Sequence, residues 1–220
     1  MDLTFTVIGL GRIGAIVARE LVERGHRVVG IGKSADESTS IPGRYDVHRC
    51  DIDDEARMIA LMAGSDAVFN AISPNLASPG TYGSQIEAVI RETKAAGVPR
   101  LLSIIGSSSV LVNTGVKLAE TDYFDETNRV FYLNICASEE IYFQERELDW
   151  ACITPPAFME DFEPVLRTYR KRYDGHLLAI DDESPRYFEV SWISLTDFAY
   201  ACADELETPT AHHQRVSIGY

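Results

Sequence analysis

Residues 7–34 read VIGLGRIGAIVARELVERGHRVVGIGKS. The stretch opens on an apolar run that suits a buried strand, Leu3–Ile8. It passes through a glycine turn, Gly9-Leu10-Gly11-Arg12-Ile13-Gly14, into a segment with apolar residues at Ile13, Ile16, Val17, Leu21 and Val22. That spacing predicts a helix over Arg12–Arg24, with Gly25 as its stop. A second strand follows at Arg27–Ile31. Strand, GxGxxG, helix and strand within one such span are the context in which the glycine pattern carries meaning. Gly9 permits the tight turn, Gly11 lets a pyrophosphate approach the backbone, and Gly14 lets the helix pack closely. The free N–H groups and partial positive charge of a helix N-terminus then hold phosphate. Arg12 and Ile13 lie within that turn.

The same rhythm continues along the chain. Strands are expected at Tyr45–Arg49, Ala67–Ile72, Leu101–Ile105 and Trp150–Ile153, and helices at Asp53–Met62, Tyr82–Ala96 and Glu126–Leu148. The acids of DIDDE read as the start of a helix, where they suit its dipole. Alternation of this kind predicts an α/β fold, a doubly wound parallel (Rossmann) sheet covered on both faces. After Pro155 the pattern shortens to His176–Ile180 and Tyr187–Val190, then a helix at Leu195–Leu206 and a last strand at Arg215–Ile218. Without a repeat or a long linker, residues 1–220 read as a single domain. Residues 155–220 are expected to form a small substrate-side lobe at the carboxyl edge of the sheet.

The end of the second strand bears on cofactor choice. A carboxylate there would hold the adenosine ribose and repel a 2′-phosphate. Here stand Gly32, Lys33 and Ser34. Lys33 and Ser34 suit a 2′-phosphate, with Arg12 as a second cation, so NADP is expected over NAD. NAD stays possible, because Asp36 and Glu37 lie close by and Lys33 is equally readable as a solvated lysine. Asp51 and Ile52 follow the third strand, where an acid can meet the adenine amino group. Asn70 and Ala71 end the fourth strand and leave room for the cofactor.

Over nearly its whole length the chain resembles the atypical short-chain dehydrogenase/reductases of the NAD(P)H-binding group, which includes NmrA-like proteins and NADH-flavin reductase-like proteins. The glycine turn carries the resemblance, together with GHRVVGIGKS, DIDDEARMIALMAGSDAVFNAIS, AAGVPRLLSIIGSSS, ELDWACITPPAFME and the tail DFAYACADELETPTAHHQRVSIGY. The group pattern is usually GxxGxxG; this chain has GxGxxG, with Gly9 and Gly14 kept. Short-chain dehydrogenases use a Ser, a Tyr and a Lys four residues after the Tyr. The resemblance places the serine at Ser107, within Ser107–Ser109, and the tyrosine at Tyr132. Cys136 stands at the lysine position. Without that positive charge Tyr132 is a poor base at neutral pH. It reads equally as an aromatic on the buried face of a helix.

Oxidising an alcohol needs a base, so the missing lysine disfavours conventional dehydrogenation. Hydride transfer to a flavin or quinone asks the protein mainly to orient two rings. The expected function is an NAD(P)H-dependent oxidoreductase reducing a small aromatic acceptor, walled by Tyr123, Phe124, Phe158, Met159 and Phe162 or merely packed by them. The alternatives are a non-enzymatic NAD(P)-sensing regulator of NmrA type and a sugar-nucleotide epimerase-like enzyme.

Composition sets the outer bounds. The 220 residues are 45% hydrophobic and 25% charged, with 20 Lys and Arg against 34 Asp and Glu, a net charge of -14. Such charge argues against nucleic acid and anionic membrane as partners. No apolar run approaches the roughly 20 residues of a membrane helix. Four scattered cysteines without a CxxC pair, and no HxxxH spacing around His212 and His213, suit a metal-free protein of the reducing cytoplasm. A monomer or homodimer acting on a small molecule is expected.

Overall fold

The computed structural model describes residues 2–75, 78–112, 114–161, 165–179 and 187–220. The first half alternates strands and helices except between its second and third strands, which only a short 3-10 turn separates: β1 (Thr4–Ile8), α1 (Arg12–Glu23), β2 (Arg27–Gly32), β3 (Tyr45–Arg49), α2 (Glu55–Met62), β4 (Ala67–Asn70), α3 (Tyr82–Ala95) and β5 (Arg100–Ile104). The second half carries α4 (Glu126–Gln144), β6 (Asp149–Thr154), β7 (Phe158–Glu160), β8 (Arg170–Arg172), α5 (Tyr187–Val190), β9 (Trp192–Ser194), α6 (Leu195–Glu207) and β10 (Gln214–Gly219).

Eight strands make one sheet in the order β3-β2-β1-β4-β5-β6-β10-β8. Every pairing in it is parallel except β10 with β8. The sheet is doubly wound because its strands are apolar on both faces. Phe5, Val7, Phe69, Leu102, Ala151 and Ile153 point into one core, under α1 and α6. Ile8, Val68, Leu101, Trp150 and Cys152 point into the other, under α2, α3 and α4. Period-two alternation thus sorts apolar side chains to two cores rather than to core and solvent. Emptying either core is expensive: truncating a fully buried ring such as Phe5 (0% exposed) to alanine costs about 3–5 kcal/mol. The strand order reverses between β1 and β4, and ligands of open α/β sheets bind in the crevice at such a switch point.

Side chains set the element ends where these differ from the periodicity. β4 stops at Asn70, not Ile72, because the Asn70 carboxamide oxygen accepts from the Ile72 N–H at 3.1 Å and turns the chain. α2 starts at Glu55, not Asp53, because Asp54 caps it. α4 ends at Gln144, short of Leu148, because the Glu145 carboxylate captures the N–H groups of Glu147 and Leu148. Beyond Pro155 the short pieces are less regular than their sequence. Tyr187–Val190 is a single helical turn, and within 176–179 only His176 bridges to another strand-like residue, Leu111. β10 and β8 extend the main sheet and α6 packs on α1, while β7 and β9 pair with each other as a separate parallel ribbon. Among the described residues no helix is long and apolar enough to cross a membrane.

Candidate functional site: a three-part groove at the carboxyl edge

The glycine turn lies at the switch point. The Gly9 N–H donates to the Ile31 carbonyl at 2.8 Å and Gly9 takes φ +90°, a left-handed conformation that favours glycine. A Cβ on Gly9 would stand 2.9 Å from the Ala71 backbone, and one on Gly14 only 2.0 Å from the Gly9 carbonyl oxygen. Gly11 is different: a Cβ there would meet nothing within 4 Å. It would project into the open groove and fill the cradle a pyrophosphate needs. The N-terminus of α1 behind it has neither a side-chain cap nor an acid in its first turn. By contrast Asp54, Asp125 and Ser194 cap α2, α4 and α6. α3 also starts without a side-chain cap, at Thr81, and Thr81 lines the same groove. The two uncapped long helices therefore open on the groove, where their free N–H groups and positive dipole ends favour an anion. These features fit a dinucleotide.

One end of the groove, about 650 Å³, is lined by Gly9, Gly11, Lys33, Ser34, Asp51, Ile52 and Ala71, among others. Lys33 and Asp51 form an ion pair at 2.8 Å. Their hydrogen bond raises the Lys33 pKa and lowers that of Asp51. The cation expected for a 2′-phosphate and the acid expected for adenine are thus bound to each other. Asp36 and Glu37 are engaged elsewhere. Asp36 accepts from the Ser38 N–H at 3.0 Å, and Glu37 accepts from the Arg49 N–H at 2.9 Å. Asn70 faces the core rather than the groove, where it is 2% exposed and its Nδ2 donates to the Tyr142 hydroxyl at 3.1 Å. Cys50, Met58 and Gln85 complete this wall. Sequence pattern did not single them out, because on their own elements they read as ordinary apolar or polar positions.

The middle compartment, about 400 Å³, shares Gly11, Ala71, Ile72 and Ser73 with the first and adds Arg12, Ile13, Met159 and Leu195. Arg12 lines this part and not the end with Lys33. Its guanidinium reaches across to Glu160 at 3.3 Å and Asp161 at 3.5 Å, tying the glycine turn to β7.

The third compartment, about 410 Å³, continues from the second through Pro74, Tyr82, Gly106, Pro155 and Met159. Ser107 and Tyr132 both line it, with Ser108, Tyr123 and Phe124. The Tyr132 ring lies 4.2 Å from the Phe124 ring at a tilt of 32°, and Phe124 stands edge-on to Tyr123. The Tyr123 hydroxyl donates to the Ala157 carbonyl at 3.2 Å, which holds this aromatic wall against the Pro155–Ala157 strip. Phe158 sits in β7 outside the lining, and Phe162 falls outside the described residues. Cys136, at the lysine position, is 2% exposed, with its Sγ 3.7 Å from the Ser108 Oγ. Burial raises its pKa, so it brings no charge to the compartment.

Sequence pattern also missed Glu139, which fixes the serine loop. It is fully buried on α4, accepts from the Gly106 N–H at 2.8 Å, and is hydrogen-bonded to the Ser109 hydroxyl. Arg215 from β10 approaches the same carboxylate at 3.7 Å and donates to the Ser109 carbonyl at 3.0 Å. Burial raises the Glu139 pKa, and the Ser109 bond and Arg215 pull the other way. Among the described residues no group of three His, Cys, Asp or Glu is arranged to hold a metal ion.

Comparison with known proteins agrees with this geometry. The curated relative YwnB, an uncharacterized protein of Bacillus subtilis (strain 168), is 26% identical over 213 residues, covering 94% of this chain and 93% of its own. A "putative epimerase" of Bacteroides thetaiotaomicron superposes with TM-score 0.86 at 24% identity, over 100% of this chain and 98% of its own. A "putative NADH-flavin reductase" of Streptococcus pneumoniae TIGR4 superposes with TM-score 0.81 at 22% identity, over 99% of each chain. At these identities the structures share a fold. The family model for NAD(P)H-binding proteins matches residues 9–206, from the glycine turn to the end of α6, and the chain belongs to that NAD(P)H-binding family.

Proposed function

We propose that the protein is an NAD(P)H-dependent reductase of a small planar acceptor such as a flavin or quinone, with NADPH preferred to NADH. The observation that carries this reading is the continuity of the groove. It leads from the Lys33 end, past the open face of Gly11, to a compartment walled by Tyr123, Phe124 and Tyr132. When bound, the reduced nicotinamide supplies a hydride, and the acceptor takes its proton from solvent.

The chain's own residues bind and orient. The first-turn N–H groups of α1 hold the pyrophosphate against Gly11, and Lys33 with Ser34 meets the 2′-phosphate. Arg12, strapped to Glu160 and Asp161, closes the middle compartment over the cofactor. The aromatic wall and the Pro155–Ala157 strip stack the acceptor and exclude water from its face. Ser107 offers a hydroxyl from a loop that Glu139 and Arg215 hold in place. Tyr132 serves as a stacking surface rather than as a base, since the buried thiol of Cys136 gives it no cationic partner. Residues 1–220 act as one domain. The part of residues 155–220 above the carboxyl edge, β7 and β9 with their loops, acts as its substrate-side lobe.

Steady-state oxidation of NADPH with 1,4-naphthoquinone or riboflavin tests the reading. Turnover with both rings, faster with NADPH than with NADH, supports it. Tight cofactor binding without turnover refutes it in favour of a cofactor sensor.

A further inference from the structure

Tyr82 begins α3 and stands in the wall common to the middle and acceptor compartments. It is 2% exposed, yet its hydroxyl makes no hydrogen bond with any described residue. The other tyrosines around the groove are differently placed. Tyr142 accepts from Asn70, Tyr123 donates to Ala157, and Tyr132 lies against Phe124. Burial, with Tyr142 and Glu139 nearby, holds the Tyr82 phenol protonated well beyond the ordinary tyrosine range. It is thus a fixed donor in a compartment whose lining also includes Ile72, Pro74, Ile104, Ile105, Pro155 and Met159. A buried donor with no partner in the protein favours a ligand that brings an acceptor atom, because a ligand without one leaves the donor desolvated and unpaired.

We propose that the Tyr82 hydroxyl donates a hydrogen bond to a ring carbonyl oxygen of the acceptor, and so selects quinones and isoalloxazines over planar rings that lack a carbonyl. The proposal rests on the reductase reading and adds to it a residue that touches the substrate. No proton is transferred from Tyr82; it stays a phenol and only orients the carbonyl.

The test is binding to the NADP⁺ complex of the full chain, comparing the parent with Tyr82→Phe. The probes are 1,4-naphthoquinone and naphthalene, which have the same ring frame with and without carbonyls. The expected result is about a tenfold loss of naphthoquinone affinity in the variant, the worth of one hydrogen bond. Naphthalene affinity, NADP⁺ affinity and melting temperature should be unchanged. Equal naphthoquinone binding by the two proteins overturns the proposal. Weaker NADP⁺ binding also overturns it, because the hydroxyl would then serve the cofactor, and so does a variant that melts early, because the hydroxyl would then be structural. If the parent itself neither binds nor reduces naphthoquinone, the reductase reading falls first. If the parent reduces it and Tyr82→Phe binds it equally, only the role of Tyr82 falls.

Discussion

The three turn glycines separate stability from binding by one type of substitution. A methyl on Gly14 would sit 2.0 Å from the Gly9 carbonyl oxygen, a backbone atom that cannot swing aside as a flexible side chain could. Relief needs a shift of more than 1 Å between α1 and the end of β1, so Gly14→Ala should destabilise by about 3 kcal/mol or more. Gly9→Ala meets Ala71 at 2.9 Å and must also hold φ +90°, which adds roughly 1–2 kcal/mol of strain. Gly11 has φ −78° and open space in front of it, so Gly11→Ala and Gly11→Val should stay within about 1 kcal/mol of the parent. Binding should follow the opposite order for Gly11. Its valine side chain would hold a pyrophosphate off the backbone and cost at least two charge-assisted hydrogen bonds. At about 1.5 kcal/mol or more each, the loss is roughly 3 kcal/mol, a hundredfold or more in affinity. Urea unfolding measures the stabilities, and fluorescence titration with NADPH measures binding. A Gly11→Val protein that is folded and binds NADPH like the parent would refute the assignment of this turn as the phosphate site.

Lys33→Ala should weaken NADPH about tenfold and leave NADH nearly untouched, while Asp51→Asn, by releasing Lys33 from its ion pair, should tighten NADPH; calorimetry that finds equal losses for both cofactors contradicts the preference. Tyr132→Phe should lower naphthoquinone turnover by less than about tenfold, against the roughly 10²–10⁴-fold that a positioned acid or base contributes. The rate should also be nearly flat from about pH 6 to 8, and a slope that vanishes in the variant would return Tyr132 to a proton-transferring role. Glu92, 1% exposed and with an unpaired Oε2, has its pKa raised by burial from 4.5 to about 7. The folded state therefore binds its proton more tightly than the unfolded state, and this contribution is full below about pH 4.5 and lost as pH rises through about 7. Glu92→Gln should then stabilise the protein by up to about 3 kcal/mol at pH 8 and little at pH 4.5, read from urea unfolding at both values; the same gain at both would exclude the linkage.

The fold was legible where apolar residues recur with a period. The strands β1, β2, β4, β5 and β6 and the helices α1 to α4 and α6 announce themselves by apolar runs or by one apolar helix face, and their ends blur where a single side chain decides, whereas β3 buries only Val47. Asn70, Asp54 and Glu145 each cut an element by capturing a backbone N–H, an event that periodicity does not encode. β8 is Arg-Lys-Arg, a strand with no apolar alternation, held by backbone pairing to β10. β7 and β9 have three residues each, too few for a period to appear.

The site was legible by a different rule. Residues whose chemistry is carried by backbone geometry stood out, because glycines at fixed spacing have few other reasons to occur. Residues that act through side chains from distant elements did not. Glu139 looks like any acid in the helix stretch SEEIYF, and Arg215 like any charge in a short strand; only the fold brings them together on the Ser109 loop. The same holds for Lys33 and Asp51, each read from sequence as reaching for a different part of one ligand, yet paired with each other in the fold. On the proposed reading a 2′-phosphate meets a lysine already paired with a carboxylate, so cofactor preference there is a difference between two contacts, not the presence of a cation. A phosphate approaching Lys33 also meets the negative charge of Asp51, a repulsion that a neutral ribose does not feel. Asp51→Asn removes that repulsion and frees Lys33, so it should shift the ratio of NADPH to NADH affinity in the direction opposite to Lys33→Ala.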